Sequence, residues 1–192
     1  MIDFSPVRTK EKTLQDLAEG LTHDDLVRLT NEMCDVFREL IADAEDSDVT
    51  FVPNDPDAND TFAAKPEEVE LAWTLGHVIV HWTASSEEAA AQALTLARGV
   101  SVVGRSRWEV EWPEATTVSF LRDRIEESRR MQLAMLAAWP AEPHLDMTYT
   151  QRQGTTPVNA IGRFLGGLSH ADSHREQVTK TITQSKARVA SS

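Results

Sequence analysis

Residues 71–82 read LAWTLGHVIVHW. If this stretch is helical, apolar side chains cover most of its circumference, which is typical of a helix buried in a protein core. Its two histidines, His77 and His81, are four residues apart and would lie on one face of that helix, about one turn from each other. The stretch therefore predicts a central helix that carries a pair of imidazoles.

A second histidine pair with the same spacing, His170 and His174, lies near the C-terminus. On a helical projection, the face around His170 is polar or small and also carries Asn159, Arg163, Gly166, Gly167, Ser173 and Gln177. The face around His81 carries Thr74, His77, Ser85 and Glu88. The main apolar side chains of both helices point elsewhere. These polar stripes are either solvent faces or the walls of a water-filled internal cavity.

Four segments of the chain have the composition or periodicity of helices. They run from about Thr13 to Glu45, with a break near Gly20, from about Pro66 to Arg98, from about Thr117 to Trp139, and from about Pro157 to Lys186. The sequence shows no internal repeat and no domain boundary, so we expect one all-α domain over residues 1–192, with a frayed tail from about residue 187.

Charge and composition argue against several classes of function. The net charge of −12 disfavours binding to nucleic acid or to anionic lipid. No apolar run approaches the roughly 20 residues that span a bilayer, and the N-terminus has no secretory signal pattern. The single cysteine, Cys34, fits a reducing cytoplasm and is interpreted as a buried, inert thiol rather than a catalytic one.

The histidine pairs point to a metal site. Neutral imidazole is a preferred ligand of zinc, nickel, iron and copper. One pair at this spacing is a weak signal, but two pairs on separate helices of a small chain are a stronger one. The acidic run over residues 54–60 lacks the glycine and the final glutamate of an EF-hand loop, so we interpret it as a solvated loop rather than a calcium site.

The two histidine segments resemble those of a known family. Residues 73–81, WTLGHVIVH, resemble the second-helix motif of the DinB/YfiT-like superfamily, and residues 170–178, HADSHREQV, resemble its fourth-helix motif. The resemblance implies a four-helix bundle in which His81, His170 and His174 hold one divalent metal ion (zinc, nickel, iron or manganese). Many members have a glutamate where this chain has His77.

That difference leaves three roles open for His77: a fourth ligand, a hydrogen-bond partner of a ligand, or a contact for the substrate. We expect it near the metal without binding it, because three histidines suffice. The connection of about 17 residues before the third helix spans roughly 55 Å when extended, so it can run the length of the bundle. This fits the up-down-down-up course that the resemblance suggests, with the second and third helices parallel; a mobile lid over the metal is the rival explanation for its length.

The resemblance also implies chemistry. Members of this superfamily include transferases and isomerases that use a low-molecular-weight thiol such as mycothiol or bacillithiol, and hydrolases that depend on a metal. We therefore expect a metal-dependent thiol transferase or isomerase, or a hydrolase, acting on a small molecule. The alternative is a non-catalytic metal-binding or stress-related protein in which the ion is structural or sensory. A homodimer is expected from the resemblance alone.

Three other residues are candidates for a place near the site. Arg163 would lie about two turns from His170, where it either holds a carboxylate of the substrate or thiol, or pairs with an acidic side chain on the surface. Trp108 and Trp112 either cover the site or are packing aromatics. His144, like His23, is interpreted as uninvolved. No catalytic residue is assigned from the sequence.

Overall fold

The computed structural model describes residues 1–60, 66–105, 109–151 and 155–190. For residues 189 and 190 it describes the backbone only. Helices account for the regular structure of this part, and the only strand-like feature in it is a single bridge between Tyr149 and Val158. The helices are α1 (Ser5–Arg8), α2 (Leu14–Ala18), α3 (His23–Leu40), α4 (Asp46–Val49), α5 (Leu75–Ala97), α6 (Val118–Ala137), α7 (Ala160–Ser173) and α8 (Arg175–Ala190). The all-α class predicted from the sequence is confirmed.

The predicted first helix is interrupted where the sequence suggested. Gly20 has a φ of 77°, a left-handed conformation that glycine adopts without strain, and it separates α2 from α3. Thr22 then caps α3, because its hydroxyl accepts the backbone N–H of Asp25 while the Asp25 carboxylate accepts that of Thr22. The predicted helix over residues 13–45 is therefore a set of shorter elements.

The central helix begins later than predicted. Residues 66–68 form a 3-10 turn, and α5 starts only at Leu75, so the expectation of a helix from Pro66 is wrong. Thr74 is extended, and its hydroxyl accepts the backbone N–H of His77 at 3.1 Å. This cap fixes the start of α5 two turns before His81. Most of α5 is buried, as the apolar stretch predicted.

The predicted fourth helix is divided at His174. Its backbone N–H donates to the carbonyl of Ala171 at 2.9 Å, one residue short of the regular α-helical partner. The regular partner would be the carbonyl of His170, which instead accepts the hydroxyl of Ser173 at 2.6 Å. The N-terminal end also differs from the prediction, since Asn159 caps α7 and the helix starts at Ala160 rather than at Pro157.

Helix α5 lies between α6 and α7. Along α5 and α7 the contacts run in opposite order, with Gln92 bonded to Arg163 and, further on, His81 near His170. Along α5 and α6 they run in the same order: Gly76 lies against Ala115, before α6, and Thr83 accepts a hydrogen bond from Arg124. That order is the one parallel neighbours produce, while the complete up-down-down-up course stays a prediction.

The core lies between these helices. Its largest fully buried side chains come from α3, α5, α6 and α7, with one from the N-terminal segment, and include Phe4, Phe37, Trp82, Leu121 and Phe164. Among the residues that the structure describes, no helix has both the length and the apolar character needed to span a membrane.

Candidate metal centre

Three imidazoles converge where α5 meets the junction of α7 and α8. One ring nitrogen each of His81, His170 and His174 lies within 4.8 Å of the other two. The Nε2 atoms of His81 and His170 are 3.0 Å apart. Two of the histidines come from one helical segment and the third from a different one, so the group forms only when α5 packs against α7. Ring nitrogens at this spacing are able to hold a metal ion.

A hydrogen bond to Gln177 selects one tautomer of the neutral His174 ring. Its Nδ1–H donates to Oε1 of Gln177 at 2.8 Å, which leaves a lone pair on Nε2. That Nε2 atom is buried and has no hydrogen-bond partner among the described residues. Burial lowers the pKa of His174 to about 4, since the charged form loses its hydration, although the bond to Gln177 opposes the shift. His174 is therefore neutral near pH 7, as a metal ligand must be.

The donor set fits a divalent transition metal. An unpaired, buried nitrogen is costly unless something accepts its lone pair, and a metal ion does so. The amide of Gln177 acts as the partner that fixes the ring orientation of a ligating histidine. Three imidazoles match the ligands of catalytic zinc sites, in which a further coordination position is open to water or substrate.

His77 lies beside this group but is not part of it. Its ring is stacked between those of Trp73 and Trp112, with centroids at 4.3 and 5.1 Å. Burial lowers its pKa to about 4, and its Nδ1 atom is buried with no hydrogen-bond partner in the described part of the chain. Trp112 thus packs on a histidine of the site, whereas Trp108 falls outside the described residues.

The histidines open into a large cavity of about 1210 Å³. Parts of the polar stripes of α5 and α7 line it, including Ser85 and Glu88 on α5 and Arg163 and Gly166 on α7, so these parts are cavity walls and not simply solvent faces. Glu88, Arg105 and Arg163 line one end of the cavity, about two helical turns from the histidines. Between this end and the histidines, α5 and α7 contribute small residues to the wall, namely Ser85, Gly166 and Ser169.

Arg163 is a wall residue of this cavity and not a surface residue. It is only 6% exposed, and its Nε–H donates to Oε1 of Gln92 at 2.7 Å. Burial lowers the pKa of its guanidinium, while the nearby Glu88 opposes that shift. The surface alternative considered for Arg163 is therefore wrong, because the helix face that carries it is turned towards α5.

The two adjacent glycines of α7, Gly166 and Gly167, leave space for different neighbours. A Cβ atom on Gly167 would lie 2.7 Å from the Cβ of Ala89, so Gly167 permits the close approach of α5 and α7. A Cβ on Gly166 would instead meet the end of the Arg163 side chain, at 3.1 Å from Nη1. One glycine makes room for a neighbouring helix and the other makes room in the cavity.

Several site residues were not identified from the sequence. Gln92 lies one turn beyond Glu88 on the same helix face, so its spacing from His81 was a usable signal. Glu109, whose Oε1 is 3.6 Å from Nδ1 of His81, comes from a connection without periodicity, and no sequence pattern marks it.

His23, His144 and Cys34 lie away from the cavity. Nε2 of His23 contacts the carbonyl of Leu136 at 3.0 Å, and His144 is exposed. Cys34 is buried in the core, and burial raises the pKa of its thiol to about 12, which leaves it unreactive. The loop over residues 54–60 borders the cavity, but among the described residues only the three histidines form a group able to hold a metal.

Comparison with known proteins identifies one family. The model of the DinB superfamily matches residues 12–178, which include both histidine segments and the helices between them. No curated protein and no solved structure matches the chain.

Proposed function

Since the chain belongs to the DinB superfamily, we propose that it is a metal-dependent enzyme that activates a small thiol or a water molecule at His81, His170 and His174. The observation that carries the proposal is the position of these three histidines in the wall of a cavity. An ion that only stabilised the bundle would need no such space and would more often be fully enclosed by ligands.

The size of the cavity favours a reaction between two molecules. Pockets for one drug-sized ligand typically hold about 300–1,000 Å³, and this cavity holds about 1210 Å³. That space accommodates a thiol together with its substrate. A transferase or isomerase that uses a low-molecular-weight thiol is therefore favoured over a hydrolase, for which a single substrate and water suffice.

A divalent ion held by three imidazoles supplies Lewis acidity, which lowers the pKa of a bound thiol or water. The residues of the chain prepare this site in two ways. Gln177 keeps the His174 lone pair directed at the cluster. Trp73 packs on His77, His81 and His174, and this aromatic cover keeps bulk water from one side of the rings.

The first test is metal binding. We expect about one divalent ion per chain in the wild type and its loss in a His170→Ala, His174→Ala double variant, measured by elemental analysis after loading and desalting. His144→Ala is the matched control, because it removes an exposed imidazole away from the cavity. Full occupancy in the double variant would overturn the site.

The second test concerns the thiol. Protein loaded with Co²⁺ should develop a thiolate-to-metal absorption band when mycothiol or bacillithiol is added, and the loaded protein should then convert electrophilic small-molecule substrates. A metal-loaded protein whose spectrum no thiol changes, but which hydrolyses substrates, would favour the hydrolase. Loading without either activity would favour a structural or sensory ion.

A further inference from the structure

The arginine end of the cavity contains a buried cation whose charge the protein does not balance directly. Arg163 is only 6% exposed, and its one hydrogen bond to the described residues runs from Nε to the neutral amide of Gln92. Its guanidinium also lies over the ring of Tyr149, with Cζ 5.9 Å from the ring centroid, which is again a neutral partner. No carboxylate in the described part of the chain lies within ion-pair distance of its guanidinium. A buried guanidinium without an anionic partner is costly, so this arrangement favours the binding of an anion.

The neighbouring carboxylate is already engaged. Glu88 accepts hydrogen bonds from Arg105, from Nη2 at 3.0 Å and from Nε at 3.3 Å to the same oxygen, Oε2. Glu88 therefore partly neutralises Arg105 and only acts on Arg163 at longer range. Among the described side chains at this end of the cavity, the guanidinium groups of Arg105 and Arg163 outnumber the one carboxylate of Glu88, in a chain whose net charge is −12.

The guanidinium is also oriented. The Gln92 amide donates from Nε2 to the carbonyl of Gly104 at 3.3 Å, which directs its Oε1 atom towards Nε of Arg163. Because Gln92 occupies Nε, the two terminal nitrogens of Arg163 are left for a ligand. That pair of N–H groups is the fork that binds a carboxylate with two parallel hydrogen bonds. The glycine at position 166 keeps the space beside Nη1 open.

We propose that Arg163 binds a carboxylate of the substrate or thiol, with Gln92 as its positioning residue. Arg163 and His170 are seven residues apart on α7, as are Glu88 and His81 on α5, so the arginine end of the cavity is about 10 Å from the histidines along the helices. The ligand class is an organic acid whose carboxylate lies about that distance from the group that reaches the histidines. The chemistry at the histidine end of this ligand rests on the proposed function, whereas the carboxylate site at Arg163 does not.

The test uses pairs of probes that differ in the carboxylate. Zinc- or cobalt-loaded protein is titrated with 8-mercaptooctanoate and with 8-mercapto-1-octanol, which match in length and thiol. We expect the acid to bind about tenfold or more tightly, as charge-assisted hydrogen bonds imply. The short pair, 3-mercaptopropionate and 3-mercapto-1-propanol, should show no such preference, because it cannot reach Arg163 from the histidines.

Variants then test whether Arg163 causes the tighter binding of the long acid. Arg163→Gln should remove the preference for the long acid, while Arg130→Gln, which removes an exposed arginine paired with Glu127 on α6, should keep it. Thermal unfolding verifies that both variants are folded. Equal binding of the long acid and alcohol to the wild type overturns the proposal without any variant, as does an equal preference within the short pair.

A thiol-free arm separates this proposal from the proposed function. Octanoate and 1-octanol are titrated by tryptophan fluorescence, with the double variant His170→Ala, His174→Ala as the protein. We expect octanoate to bind more tightly there too, since the arginine end does not depend on the metal. If no thiol alters the loaded site but octanoate is preferred, the thiol chemistry fails and the carboxylate site stands; if octanoate is not preferred, the carboxylate site fails.

Discussion

At the scale of single residues, two imidazoles at the site, those of His77 and His174, are buried enough to disfavour their charged forms. His77 and His174 both have a pKa lowered to about 4, in each case mainly because burial removes the hydration of the charged ring. A nitrogen of each ring lacks a hydrogen-bond partner in the described structure. Burying these two rings without a partner for each nitrogen therefore lowers the stability of the folded protein.

This cost predicts a pH dependence of the metal-free protein. Between about pH 6.5, the ordinary pKa of histidine, and about pH 4, the unfolded chain binds protons that the folded chain excludes. The free energy of unfolding should therefore fall as the pH falls through this range, by up to about 1.4 kcal/mol per pH unit for each histidine. Urea unfolding in the presence of a chelator, at a series of pH values, measures it.

The control is His77→Phe. Phenylalanine keeps an aromatic ring between Trp73 and Trp112 but does not titrate, so the variant should unfold with a shallower pH dependence than the wild type. An unchanged slope would mean that His77 does not contribute, and that other groups account for the acid sensitivity.

At the scale of secondary-structure elements, the packing of α5 on α7 determines whether the histidines meet. The closest approach is at Gly167, where Ser86 also donates its hydroxyl to the Gly167 carbonyl at 3.2 Å. If α7 moved away from α5 at Gly167, His170, which lies three residues further along α7, would move away from His81. The glycine is therefore part of the site without touching any ligand.

This predicts opposite effects of the same change at adjacent positions. Gly167→Ala should lower the free energy of unfolding by about 1–3 kcal/mol, because the new methyl group overlaps Ala89 and no flexible atom can move aside. Gly166→Ala should be neutral or stabilising by up to about 1 kcal/mol, since alanine favours the helix and its methyl group would meet the flexible end of Arg163 at 3.1 Å and make an ordinary contact with Leu14 at 3.5 Å. Urea unfolding of the two variants compares them directly; equal destabilisation by both would contradict this account of α7.

At the scale of the whole molecule, the three histidines join the centre of the bundle to its C-terminal segment. His81 lies on α5, while His170 and His174 lie at the end of α7 and at the break before α8. The three histidines lie together only in the folded chain, so a metal that binds all three should stabilise the fold as a whole.

We predict that zinc raises the thermal midpoint. At 100 times the dissociation constant, binding to the folded state alone adds about 2.7 kcal/mol, which is roughly 5–10 °C for a chain of this size. Differential scanning fluorimetry with zinc and with a chelator measures the shift. The double variant His170→Ala, His174→Ala should show none, and an equal shift in that variant would place the metal elsewhere.

Much of the site could be predicted from sequence because helices have a fixed period. Spacing of four residues places His77 with His81 and His170 with His174, whatever the rest of the chain does. The same period identified the stripe that carries Arg163, Gly166 and Gly167. The resemblance added which three histidines would group together.

The tertiary structure decided what local period cannot encode. The start of α5 at Leu75 depends on the cap by Thr74, and the division at His174 depends on the bond from Ser173 to His170, neither of which alters the helical pattern in the sequence. Whether the polar stripes faced water or a cavity, and whether Arg163 was exposed, depended on which helices pack together. Periodicity determines the face on which a side chain lies, but only packing between distant segments determines what that face meets.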